Sequence, residues 1–131
     1  MASQVRWLVE KRVIYMSTSG TVTMEDVRSC NRVIMDMIAI GTPFIHVITD
    51  STHMEKNTIG LGDLVTLIKT VPTSPKIGWS IYVSKNKLDR FFASVTNQIS
   101  QTRNREFETL DKALAFLVEN DDSLPDIPMP Y

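Results

Sequence analysis

Long apolar runs, a second cysteine and a secretion signal are all missing from this sequence, and each absence excludes a class of protein. The one cysteine, Cys30, has no partner for an internal disulfide, which favours a reducing compartment. No stretch approaches the roughly 18 consecutive apolar residues of a membrane-spanning helix. Residues 1–7 lack the apolar segment of a signal peptide. We therefore expect a cytoplasmic protein.

An excess of charge of one sign is also missing, because 14 basic and 15 acidic residues leave a net charge of −1. No global field therefore draws the chain to nucleic acid or to an anionic membrane. A hydrophobic content of 43% and a charged content of 22% are typical of a globular protein, and 131 residues fit one domain. We expect that domain over residues 1–122. Prolines in the segment 123–131 predict a loose or extended tail.

What the sequence does contain is a regular alternation of two patterns. Runs typical of strands lie at residues 5–10, 13–17, 44–49, 77–83 and 106–108. Apolar stripes with helical spacing lie at residues 24–40, 61–71, 88–99 and 109–117, and a polar loop is expected at residues 51–57. This order predicts an α/β fold with a single, mostly parallel sheet of four to five strands flanked by helices. The first strand is expected to join it as an antiparallel edge strand.

The run at residues 44–49 is the most informative of these strands. It is apolar at nearly every position, which is typical of a strand buried on both faces, and we expect it at the centre of the sheet beside residues 77–83. It leads directly into Asp50, Ser51 and Thr52. In open α/β sheets, ligands and partners bind beyond the carboxyl ends of such strands. The sequence therefore predicts where a site lies better than what it does.

Polar residues follow both candidate central strands at the same level. We expect one surface depression at this edge of the sheet, with the Asp50 side chain projecting outward, bordered by Asp50, Ser51, Thr52, Thr58, Lys85 and Lys87. The alternative interpretation is that Asp50, Ser51 and Asn86 cap helices and that the lysines are simply solvated.

Residues that could carry other chemistry do not form a recognisable set. His46 lies within a strand and His53 beyond it, about 20 Å apart at strand rise, so we predict a hydrogen-bonded strand histidine and no metal site. Residues 60–62 contain two glycines but not the remainder of a nucleotide-binding motif, and we expect no cofactor. Cys30 lies on an apolar stripe, where a thiol acts as a small hydrophobe. We expect no enzyme; a small one using Asp50 or His46 as base is the least favoured hypothesis.

Three segments together resemble the STAS/SpoIIAA-like family, in particular its compact bacterial members related to STAS and Sec14-type domains. These are residues 13–23, residues 48–52 and residues 105–117, and the likeness in element order spans about residues 5–120. In anti-sigma-factor antagonists of this family, a segment of Asp-Ser-Ser-Gly type follows the strand and carries a phosphorylated serine. By this resemblance Ser51 and Thr52 are candidate phosphorylation sites, although residues 53–59 separate them from the glycines that match its end.

The leading hypothesis is a non-enzymatic regulatory or protein-interaction module that acts through the loop after Asp50. The alternative is a carrier or sensor of a small apolar or amphipathic ligand bound between the sheet and the helices. We also expect a homodimer, because Trp7 falls on a predicted edge strand and the sheet is small. The identity of the partner or ligand is not encoded in any motif.

Overall fold

A single mixed sheet organises the computed structural model, which describes residues 3–63, 66, 69, 73–99 and 103–130. Its strands are β1 (Ser3–Val9), β2 (Val13–Val22), β3 (Ile45–Asn57), β4 (Ile77–Val83) and β5 (Asn104–Phe107). The helices among these residues are α1 (Met24–Ile40), α2 (Lys87–Ile99) and α3 (Leu110–Asn120), with a short 3-10 turn at Leu61–Asp63. The helical stripe predicted at 61–71 lies mostly outside the described residues.

The strands lie in the order β1-β2-β3-β4-β5, with β1 antiparallel to β2 and the other pairs parallel. The predicted mostly parallel sheet with an antiparallel first strand is therefore confirmed, and β3 is central with β4 beside it. A tight turn joins β1 to β2: Lys11 has a φ of 62°, and the Arg12 amide donates to the Val9 carbonyl at 3.0 Å. No helix within the described ranges is long and apolar enough to cross a membrane.

Helix α1 begins and ends at the residues that its sequence predicts. The Thr23 hydroxyl accepts from the Asp26 amide and the Asp26 carboxylate accepts from the Thr23 amide, a reciprocal cap. At the other end the Gly41 amide donates to the Ile38 carbonyl. Between these caps Cys30, Ile34 and Ile38 are buried against one side of the sheet, hereafter the α1 face. Burial raises the pKa of the Cys30 thiol, in keeping with its role as a small hydrophobe.

Helix α3 covers the opposite side of the sheet, hereafter the α3 face. The helix buries Leu110, Ala113, Leu114 and Leu117 there, packed against a layer of strand residues that comprises Leu8, Val13, Tyr15, Ile48, Ile81 and Val83. Fully burying one such leucine stabilises a fold by about 1.5–3 kcal/mol.

The C-terminal tail continues along this face without regular secondary structure. Leu124 and Ile127 pack against the same apolar cluster, and Arg6 of β1 donates to the Pro130 carbonyl at 2.9 Å. These contacts anchor the tail to the rest of the protein.

The prediction of a polar loop at residues 51–57 is wrong, because β3 continues through Asn57. Its outer part pairs with an equally extended β2, with Ser19 opposite His53 and Val22 opposite Asn57. The register shifts at two points, and at each of them β3 contains one residue more than β2. These irregularities are β-bulges. Burial alternates here, since Thr52 and Met54 are half-buried while His53 and Glu55 are exposed. A polar strand paired on one edge carries too few apolar residues to be distinguished from a loop in sequence.

Candidate functional site

The predicted site residues lie at the edge of the sheet where the parallel strands end, hereafter the carboxyl edge. Asp50 is the register partner of Ser17 in β2 and of Val83 in β4, so the three strands are aligned at this level. Lys85 and Lys87 follow β4 directly. The backbones of Asp50 and Lys85 therefore lie at the same end of the sheet.

Asp50 does not project outward as we expected from the sequence; it is fully buried, with 0% exposure. The Tyr15 hydroxyl donates to its Oδ2 at 2.5 Å, and the Thr52 amide and hydroxyl donate to its Oδ1 at 3.0 and 2.7 Å. A carboxylate inside the protein is stable only when such donors replace its water. Strand alternation explains the orientation, because Asp50 and Tyr15 both point to the α3 face.

Ser51 points to the opposite side and belongs to a buried hydroxyl cluster. The Thr18 hydroxyl donates to Ser51 Oγ at 3.2 Å, and the Tyr82 hydroxyl is hydrogen-bonded to Ser51 and Ser84. Burial raises the pKa of Tyr82, and the negative charge of Asp89 raises it further. The cluster is therefore neutral at physiological pH, and it fills the space beneath the carboxyl edge with satisfied polar groups.

The other predicted residues form an outer layer. Thr58 donates its hydroxyl to the Val22 carbonyl at 2.8 Å and so closes the end of the β2–β3 pair. Lys85 and Lys87 are exposed on either side of Asn86, whose Oδ1 accepts from the amides of Leu88 and Asp89. The capping interpretation is correct for Asn86, whereas Asp50 and Ser51 bond within the sheet. The structure thus places Asp50, Ser51 and Thr52 in β3 at the level where β4 ends, with Lys85 and Lys87 just after β4, whereas Thr58 lies beyond the far end of β3.

Beyond Asp50, β3 has one edge without a strand neighbour among the described residues. The last β3–β4 pair is Asp50 with Val83, yet β3 continues to Asn57. Helix α2 begins at this end of the sheet and leaves the side chains of Leu88 and Phe91 more than half exposed. Two exposed lysines and two exposed apolar side chains therefore follow the point in β4 where its pairing with β3 ends.

The opposite edge of the sheet, hereafter the amino edge, holds a depression of about 280 Å³ that the sequence did not predict. Its walls come from residues at or just before the beginnings of β2, β3, β4 and β5 and from residues at the end of α3. The lining residues are Arg12, Pro43, Phe44, His46, Gly78, Trp79, Arg103, Asn120, Asp121 and Ser123.

His46 is the buried centre of this edge. Its Nδ1 accepts from the Trp79 amide at 3.0 Å, and its Nε2 lies 2.7 Å from Asp121 Oδ2. Because Nδ1 accepts, these bonds assign the proton to Nε2, which donates to Asp121. Burial lowers the pKa of His46, although Asp121 opposes that effect. The prediction of a hydrogen-bonded strand histidine is confirmed, and its partner is 75 residues away in the chain.

Asp121 ties the C-terminal tail to this edge. Arg12 Nη2 donates to Asp121 Oδ2 at 2.9 Å, and the Ser123 hydroxyl and amide donate to Oδ1 at 2.5 and 3.0 Å. Burial acts to raise the pKa of Asp121, but the bonds from Ser123 and His46 outweigh it and lower that pKa to about 2. No local pattern in the sequence indicates the contacts of Asp121 with Arg12 and His46, since these partners lie 109 and 75 residues away in the chain.

Among the residues that the structure describes, no three His, Cys, Asp or Glu side chains are grouped so as to hold a metal ion. His46 and Asp50 belong to β3 but lie in separate networks, one at each edge of the sheet.

Comparison with known proteins defines the fold. No protein-family model matches the chain, and no curated protein matches it. Among solved structures it is similar to an uncharacterized protein of the DUF3478 family with a SpoIIAA-like fold from Shewanella loihica PV-4, with 18% identity and a TM-score of 0.59 over 88% of this chain and 92% of that one. It is also similar to an anti-sigma factor antagonist from Mycobacterium paratuberculosis, with 16% identity and a TM-score of 0.54 over the same shares. The chain has a SpoIIAA-like fold.

Proposed function

We propose that this chain is a non-enzymatic regulatory module of STAS/SpoIIAA-like type that binds a protein partner through the carboxyl edge after Asp50. The similar anti-sigma factor antagonist supports the class, because its name describes a protein that acts on a regulatory pathway through other proteins. The buried hydroxyl cluster and the hydrogen bonds of Asp50 lie beneath the same edge and hold its backbone in place.

The observation that carries this proposal is the edge of β3 that extends past its last pairing with β4. A strand edge presents backbone donors and acceptors in a row, which another chain can extend by pairing with it. Exposed Lys85 and Lys87 follow β4 just after that last pair and favour an acidic segment in the partner. Leu88 and Phe91 add apolar surface, which supplies affinity at such contacts.

Phosphorylation of this edge is a second part of the proposal, and it concerns Ser51 and Thr52. Ser51 is only 7% exposed and its hydroxyl accepts from Thr18, whereas Thr52 is half-buried and its hydroxyl donates to Asp50. A phosphate on Thr52 would remove that donor and add about −1.5 to −2 charge beside the Asp50 carboxylate, so it would disrupt the buried network and alter the binding edge. We therefore favour Thr52 over Ser51 as the modified residue.

Site-specific photo-crosslinking in cells tests the partner surface. A photoreactive amino acid at the exposed position of His53 should capture one protein, whereas the same group at exposed Arg28 of α1 should not. The double variant Lys85→Glu and Lys87→Glu should reduce capture from position 53 by about tenfold, because it reverses the local charge. Equal capture from both positions, or capture that the charge reversal leaves unchanged, would contradict the proposal.

Two further predictions concern the oligomeric state of the purified protein and a ligand bound to it. A homodimer stays a prediction, although Trp7 packs toward the apolar cluster of the α1 face rather than standing free on β1. The carrier hypothesis also stays a prediction, for a small apolar or amphipathic ligand. Native mass spectrometry of freshly purified protein tests both: a mass of 14.8 kDa for the bare chain would reject the dimer and the carried ligand together.

A further inference from the structure

Two arginines beside the amino-edge depression are not neutralised by the described part of the protein. The guanidinium groups of Arg103 and Arg105 each lie 5.9 Å from the centroid of the Trp79 ring. Neither group forms a hydrogen bond or an ion pair with a described residue, and both side chains are exposed. Arg12 differs, because it donates to Asp121, Ser123 and the Phe44 carbonyl.

The charge of the depression is consequently positive. Asp121 is the one carboxylate among its lining residues, and Arg12, His46 and Ser123 already engage it. Arg103 is the lining cation that remains available, and Arg105 adds a second positive charge nearby. A concave surface with one sign of charge concentrates ions of the opposite sign.

Flat apolar surfaces lie next to these cations. The Phe44 side chain is 52% exposed at the rim, and its carbonyl is held by Arg12 Nε at 3.0 Å. Trp79 is fixed by an edge-on contact with Phe116, with ring centroids 4.9 Å apart and planes at 84°. An exposed aromatic side chain at a concave site is suited to stacking with a planar ligand, and Phe44 is such a side chain. Trp79 is half-buried, and its ring already carries the Arg103 and Arg105 guanidinium groups.

We propose that the amino edge is a binding site for a small aromatic anion, an aromatic carboxylate or phosphate. Arg103 binds the anionic group, since a guanidinium pairs with carboxylate or phosphate through parallel hydrogen bonds. The ring of the ligand lies against Phe44, next to Trp79 and the guanidinium groups over its ring. A volume of about 280 Å³ has room for a compound with one ring but not for a large lipid. This site is separate from the carboxyl edge and does not depend on the function proposed there.

Tryptophan fluorescence gives a direct test with phenyl phosphate as the probe. The chain has two tryptophans, so Trp7→Phe leaves Trp79 as the one reporter at the site. Phenyl phosphate should change its emission saturably, and Trp79→Phe should lose that signal. Arg103→Gln should weaken binding about tenfold or more through the lost charge-assisted hydrogen bonds. Arg28→Gln, which changes an exposed arginine on α1, is the matched control and should bind like the parent.

The two halves of the probe separate the two parts of the proposal. Inorganic phosphate and phenol should each bind more weakly than phenyl phosphate, because each lacks one contact. Equal affinity for phosphate would overturn the aromatic contact, and equal affinity for phenol would overturn the role of Arg103. No saturable change of Trp79 emission at millimolar phenyl phosphate, or equal binding by the Arg103 and Arg28 variants, would overturn the site itself.

Discussion

The two edges of the sheet use buried polar groups in opposite ways. At the carboxyl edge, Asp50 is hydrogen-bonded to Tyr15 and to Thr52, two residues further along β3. This network is buried, below the exposed polar residues of that edge. At the amino edge, His46 bonds to Asp121 at the end of α3 and holds the tail beside an open depression. A polar residue at the end of a strand is therefore not evidence for an exposed site. Its role depends on the face to which its side chain points and on what covers that face.

The largest effect that we expect from this comparison is the loss of the Asp50 carboxylate. Asp50→Ala should lower the free energy of unfolding by about 2–4 kcal/mol, because it leaves the buried Tyr15 hydroxyl without this acceptor. Urea unfolding followed by circular dichroism measures the change. Asp36→Ala removes an exposed carboxylate from α1 and should stay within about 0.5 kcal/mol of the parent. If both variants unfolded at the same urea concentration, Asp50 would not be a structural residue.

A smaller effect is expected from a methyl group at the amino edge. A Cβ at Gly78 would lie 2.5 Å from His46 Cε1 and 2.7 Å from Nδ1, and the ring is held by Trp79 and Asp121. Gly78→Ala should therefore cost about 1–3 kcal/mol, as overpacking does in other cores. Gly62→Ala is the control, because nothing lies within 4 Å of its Cβ position. If the two variants unfolded at the same temperature, the His46 side chain would have moved to accommodate the added methyl group without a loss of stability.

The smallest effect is a dependence of stability on pH that arises from His46 and Asp121 at the amino edge. The pKa of His46 is lowered by burial from its ordinary value of 6.5, so below that pH the unfolded chain binds its proton more readily than the folded protein. Stability should therefore fall as the pH drops below about 6.5. It should fall again between 3.8 and about 2, where the unfolded chain takes up the proton of Asp121 before the folded protein does.

Thermal melting between pH 7.5 and 5 checks the first of these steps. His46→Gln should flatten that segment of the curve, whereas Arg28→Gln, which changes an exposed side chain on α1, should leave its slope unchanged. A slope that His46→Gln left unchanged would contradict the assignment of the pH-sensitive group to the amino edge.

Local patterns were sufficient for most of the fold. The apolar stripe at residues 24–40 predicted the extent of α1, and the contacts of Thr23, Asp26 and Gly41 that end it lie within one helical turn. The apolar run at 44–49 predicted a central strand, because a strand buried on both faces needs no alternation. The failure was at residues 51–57, where the polar sequence concealed a strand whose pairing comes from β2.

For the sites, the sequence determined the place of the carboxyl edge, since parallel strands put the residues after them on one side. It did not determine that Asp50 turns inward, because that orientation depends on the register of β3 against Tyr15 in β2. The amino edge was decided by tertiary structure alone. Arg12, His46 and Asp121 meet there only when α3 has returned along the sheet, and contacts between residues so distant in the chain leave no periodicity or motif in it.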